Sequence, residues 1–62
     1  MSQEQQILSH LKKGYALEPM TALRKFGCYR LAARVHDLRS KGHPIKTEIV
    51  REDGKEHAVY YL

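Results

Sequence analysis

Arginines and lysines dominate the side chains of this sequence that can do chemistry, and Arg30, Arg34 and Lys41 recur at the spacing of one helical stripe. Asp37 is the single acid in that row. Guanidinium and ammonium groups so arranged form charge-assisted hydrogen bonds to anions, and an arginine can meet a phosphate or a guanine edge with two parallel N–H groups. The chemistry implied is recognition, without bond making. The sequence holds no Ser/His/Asp or Cys/His arrangement, no paired carboxylates and no glycine-rich phosphate loop. His10 is expected on the flank of a helix, partly buried or solvent-facing, and His36 and His43 read as exposed helix-end residues. Cys28 stands alone, so it forms no internal disulfide, and one cysteine with four scattered histidines lacks the spacing of a zinc site. It reads as a small, half-buried residue of a turn. No enzyme activity, cofactor, metal or small-molecule substrate is expected.

Eleven basic residues face seven acidic ones, for a net charge of +4 and an isoelectric point near 9.5. A basic domain favours anionic partners, nucleic acid first among them. A chain of 62 residues buries only about 60% of its unfolded surface, which leaves little room for an enclosed catalytic pocket. One domain over residues 1–62 is expected. No apolar run approaches the roughly 20 residues of a membrane span. There is neither a signal-peptide pattern nor an amphipathic helix with bulky exposed apolar residues. The expected location is the cytoplasm, on the nucleoid, away from membranes.

These cations need elements to position them. Ser2-x-x-Gln5 has the form of a capping box and predicts a first helix over Gln3–Lys13, with Ile7, Leu8 and Leu11 inward and Gly14 ending it. Leu17 is placed to pack back on a second helix as the outer half of a hydrophobic staple. That helix spans Pro19–Phe26, capped by Glu18, with Met20, Leu23 and Phe26 inward and Arg24 and Lys25 outward. Gly27 and Cys28 make a corner, and Tyr29 opens a third helix that stops near Lys41-Gly42, ahead of Pro44. Its inward stripe is Leu31, Ala32, Val35 and Leu38. Ile45–Val50 alternates as a strand does, Asp53-Gly54 signals a hairpin turn, and His57–Leu62 is rich in strand formers. The expected architecture is mainly α with a small β-hairpin: three helices followed by a two-stranded wing, a winged helix-turn-helix.

Two stretches carry a resemblance. Pro19-x-x-Ala22-Leu23-x-x-Phe26-Gly27, followed by Arg30-Leu31-Ala32-Ala33-Arg34-Val35-x-Asp37-Leu38-Arg39-x-x-Gly42-x-Pro44-Ile45-x-Thr47, resembles the small helix-turn-helix domain family common in phages and prophages. The resemblance runs from the first helix through the first wing strand. Glu18 stands where the family often has a threonine cap, and Tyr29 where a small or polar residue is common.

A third helix exposed on the far side of such a corner fits a major groove, with its N-terminal residues deepest. Tyr29, Arg30, Ala33 and Arg34 are assigned to the groove floor, Ala33 against a thymine methyl, and Arg24, Lys25 and Lys41 to phosphates. Asp37 either accepts from a cytosine amine or holds Arg34 or Lys41 along the helix. Arg51 and Lys55 near the wing tip are supporting contacts, diluted by Glu52, Asp53 and Glu56, with Lys46 and His57 adding to the wing's exposed side. The expected function is binding of double-stranded DNA by a phage or mobile-element protein. It would serve as a transcriptional regulator or an excision or replication accessory factor, self-associating on its site. A competing reading is a protein-interaction module anchored by Tyr29, Tyr60 and Tyr61.

Overall fold

The computed structural model describes residues 2–62. Three helices, α1 (Gln3–Lys12), α2 (Pro19–Phe26) and α3 (Leu31–Ser40), precede two antiparallel strands, β1 (Lys46–Glu52) and β2 (Lys55–Tyr61). The capping box at the start of α1 is formed: the Gln5 N–H donates to Ser2 Oγ at 3.2 Å and the Ser2 N–H donates to Gln5 Oε1 at 3.2 Å. Lys13 caps α1 without continuing it. Glu18 sits at the N-cap of α2 with no side-chain bond, and Pro19 occupies the first turn, where its missing N–H costs nothing.

The inward faces follow helical geometry more closely than the residue types suggest. In α2 it is Ala22 that is fully buried, with Leu23 and Phe26 half-buried, while Met20 is 61% exposed. Positions 22 and 26 centre the inward face of a 3.6-residue repeat with position 23 at its edge, and position 20 falls beyond that edge, almost opposite position 22. The inward placement expected for Met20 is therefore wrong. In α3 the buried stripe is Leu31, Val35 and Leu38, and Ala32 is exposed, because it lies a quarter-turn from Leu31. The third helix also begins two residues later than expected: Tyr29 is in a bend and Arg30 is the N-cap, with φ −124° and ψ 68°, outside the helical region.

Between α2 and α3 the chain reverses through Gly27, whose φ of 65° is left-handed. The turn lets the Cys28 N–H donate to Ala22 O at 3.2 Å, and Cys28 is buried, 2% exposed, where half-burial was expected. A methyl group at position 27 meets nothing within 4 Å. Gly27→Ala is therefore expected to cost only the backbone strain, about 1–2 kcal/mol, read as a fall of roughly 4–15 °C in thermal midpoint. A midpoint within a degree of wild type would show that the corner is not held left-handed.

Leu17, expected only as a staple, does more. It is fully buried and pairs with β2: its N–H donates to Tyr60 O at 2.8 Å and the Tyr60 N–H donates to Leu17 O at 2.9 Å. The linker between α1 and α2 is thus bridged to β2 at this one residue, and Tyr60, 8% exposed, belongs to the core. That core is Ile7, Leu11, Leu17, Ala22, Cys28, Leu31, Val35, Leu38, Ile45 and Tyr60. The strands pair Thr47 with Tyr60 and Ile49 with Ala58, and a two-residue turn joins them through Asp53 at φ 50° and Gly54 at φ 75°. Both angles are positive, as a type I′ turn requires, and its twist matches that of the flanking strands. Ile49 shares the inward face with Tyr60 but is 55% exposed, because the hairpin runs past the helices.

Candidate nucleic-acid interface

The N-terminus of α3 meets solvent with no capping side chain and no acid in its first turn. Its first amides and the positive end of its dipole are therefore open to an anion. Beside them stand Tyr29, 87% exposed, and Arg30, also exposed. The Arg30 backbone is committed, its carbonyl accepting from Ala33 and Arg34 at 3.1 and 3.2 Å, but its side chain has no hydrogen bond or ion pair among the described residues.

Arg34 lies on the shoulder of α3, bonded to Asp37 Oδ2 at 3.1 Å with its side chain 38% exposed. Of the two roles weighed for Asp37, the structure shows the intrahelical one. Ala33 is half-buried beside it. The most exposed line of α3 is Ala32, His36, Arg39 and Ser40, none of which the sequence assigns to a DNA contact. A helical wheel aligned on Leu31, Val35 and Leu38 would have found it.

The remaining cations divide. Arg24 and Lys25 are exposed on the last turn of α2, and Lys25 lines a shallow cleft against α1 with His10, Lys13 and Phe26. Lys41 is drawn to Glu4 of α1, its Nζ 2.7 Å from Oε1, which ties the C-terminus of α3 to the body. In the wing, Arg51 pairs with Glu56 at 3.1 Å, and Lys55 stands opposite Glu52 in the strand register. Three cations, Lys46, Arg51 and Lys55, share the hairpin with four carboxylates, Glu48, Glu52, Asp53 and Glu56. The positive surface thus lies on the helices. His57 and Lys46 are both taken up locally, His57 Nε2 3.1 Å from Glu18 Oε2 and Lys46 Nζ 5.8 Å from the Tyr61 ring centre.

Arg39 joins α3 to the wing. Its Nε donates to Ile45 O at 2.9 Å and its Nη2 to Thr47 Oγ1 at 2.6 Å. Among the described residues these are the only side-chain hydrogen bonds between α3 and the segment leading into β1. His10 is likewise structural, its Nε2 3.1 Å from Ala16 O and its ring tilted against Tyr15 and edge-on to Phe26. His36 is exposed as expected, whereas His43 is half-buried. No group of three or more metal-ligating side chains comes together among the described residues. No helix among them is long and apolar enough to cross a membrane.

With three helices, a left-handed corner and a hairpin wing established, comparison with known families is decisive. A family model described as a winged helix-turn-helix domain matches residues 2–62. The chain belongs to that family. Comparison with curated proteins and with solved structures returns no match. For a winged helix-turn-helix domain the second helix of the motif is the one presented to a DNA groove. In this chain that helix is α3, and family membership points to DNA binding.

Proposed function

We propose that this domain binds double-stranded DNA by placing the N-terminal half of α3 in the major groove, and that it acts by binding alone, without catalysis. The observation that carries the reading is the open start of α3: uncapped amides, an exposed Arg30 and an exposed Tyr29 at one point of the surface. A lone surface arginine usually does nothing but hold water. Arg30 stands at the positive end of a helix dipole, next to a corner whose geometry turns that end outward. Arg34, reached by opening its exposed pair with Asp37, extends the contact one turn along the groove. Arg24 and Lys25 approach phosphates from α2. The exposed line Ala32, His36 and Ser40 adds small and polar groups able to meet base edges.

The role that fits is a phage or mobile-element regulator, or an accessory factor in excision or replication. Its likeness to the small phage-type helix-turn-helix domains supports that choice. One such domain covers few base pairs, so a specific site requires two copies, paired or side by side. The wing, with more carboxylates than cations, plays a minor part at the phosphates.

Titration of a random-sequence duplex against salt tests the reading. On a duplex without the specific site, four to five of Arg24, Lys25, Arg30, Arg34 and Lys41 each neutralise a phosphate, for a log–log slope of about −4 at roughly 0.9 per contact. Selection from a random duplex pool is expected to return one or two copies of a short half-site. Weak binding whose affinity ignores salt would sink the proposal and favour the competing protein partner, gripped by Tyr29 and not by Tyr60, which is buried in the core.

A further inference from the structure

We infer that Arg39 is a phosphate-binding residue of this interface, immobilised in advance by the root of the wing. The inference rests on the DNA-binding reading above and names a contact that reading does not contain. A guanidinium carries five N–H donors in a rigid plane and cannot lose its charge at ordinary pH. Arg39 directs two of them inward, Nε to Ile45 O and one N–H of Nη2 to Thr47 Oγ1. The other three, both on Nη1 and the second on Nη2, have no partner among the described residues, and the residue is exposed.

The type of partner decides the matter. Arg34, Lys41 and Arg51 each meet a carboxylate, Asp37, Glu4 and Glu56 respectively, so their charge is compensated before any ligand arrives. The two acceptors of Arg39 are neutral, a carbonyl and a hydroxyl. Its orientation is fixed while its full positive charge remains. That combination suits an oxyanion: ordering a long side chain is a main cost of such a contact, and here folding has already met it.

The local chain is built to keep the anchor still. Helix α3 ends with the Gly42 N–H donating to Arg39 O at 3.0 Å and the His43 N–H to Leu38 O at 3.2 Å. The Ile45 N–H then closes a three-residue turn across Pro44 onto His43 O at 2.9 Å. Ile45, which supplies the carbonyl, is 4% exposed and locked in the core. The guanidinium therefore sits at the junction of the reading helix and the wing, where a phosphate flanking the groove would pass.

Four variants test this by duplex binding across a salt series, each checked for an unchanged fold by circular dichroism. Arg39→Ala is expected to weaken binding about tenfold and make the salt slope shallower by about 0.9, the signature of one lost phosphate. Thr47→Val, at an exposed strand position, removes one anchor but leaves the charge. It is expected to weaken binding about threefold with the slope unchanged. Arg39→Lys should do the same, since an ammonium cannot span both acceptors. The double variant Arg39→Ala/Thr47→Val should bind no more weakly than Arg39→Ala alone. Wild-type affinity and slope in Arg39→Ala, or independent losses in the double variant, would overturn the inference while leaving DNA binding standing. Absence of salt-dependent duplex binding by the wild-type domain would overturn both.

Discussion

The double substitution Arg30→Ala/Arg34→Ala is expected to abolish sequence preference and lower duplex affinity by roughly 30-fold to 1,000-fold, about 2–4 kcal/mol. The range follows from about 1–3 kcal/mol for an arginine making a bidentate base contact together with a smaller share for one meeting phosphate. The two residues differ in how they reach the ligand. Arg30 is exposed at the uncapped start of α3 and needs no rearrangement. Arg34 must leave Asp37, 3.1 Å away, in a pair whose side chains are about two-fifths exposed. Such a pair is worth no more than about 1 kcal/mol, so opening it is a small cost against a groove contact. Asp37→Asn should accordingly tighten binding to any duplex, since it frees Arg34 and removes a carboxylate facing the phosphates. Quantitative band-shift or anisotropy titrations at fixed salt check both. If Asp37→Asn weakened binding, Asp37 would be reading a cytosine amine and the assignment of the α3 shoulder would have to change.

The second large effect concerns stability. Leu17→Ala is expected to remove about 2–5 kcal/mol, the usual cost of emptying a fully buried leucine site. At roughly 0.05–0.15 kcal/mol per residue, a domain of this size holds about 3–9 kcal/mol in total. The variant would therefore lose a large part of that margin and unfold at a markedly lower urea concentration. Leu17 has this weight because it is the point where the α1–α2 linker, the helical core and β2 meet, joined by two backbone bonds to Tyr60. Loss of its side chain loosens the wing as well as the core. Ile49→Ala provides the contrast: also apolar and paired in the hairpin, but 55% exposed, it should shift stability by about 0.5 kcal/mol or less. Urea unfolding of the two variants decides, and equal midpoints would show that the linker is not pinned to the sheet.

These contrasts show where the amino-acid pattern is sufficient and where it misleads. Local signals that depend on neighbours in the chain are realised: the Ser2 and Gln5 capping box, Pro19 in the first turn of α2, the stop at Gly42 ahead of Pro44, and the Asp53-Gly54 turn. So is the Leu31, Val35 and Leu38 stripe. Met20 and Ala32 went astray because hydropathy alone does not fix direction. Which side of a helix or strand is inward depends on where the rest of the molecule lies, and Ala22, small enough to let α2 approach, outranks Met20.

The sequence by itself determined the number and order of the elements, the winged helix-turn-helix architecture and the basic character of the chain, because hydrophobic periodicity, caps and turn residues act over a few neighbouring positions. Only the tertiary structure decided that Leu17 of the α1–α2 linker bridges β2 and that Lys41 and Arg51 are tied to carboxylates. It alone set Arg39 against the wing root between two neutral acceptors. A cation's partner is chosen by proximity across the fold, and proximity between residues such as Glu4 and Lys41 exists only once the core has closed.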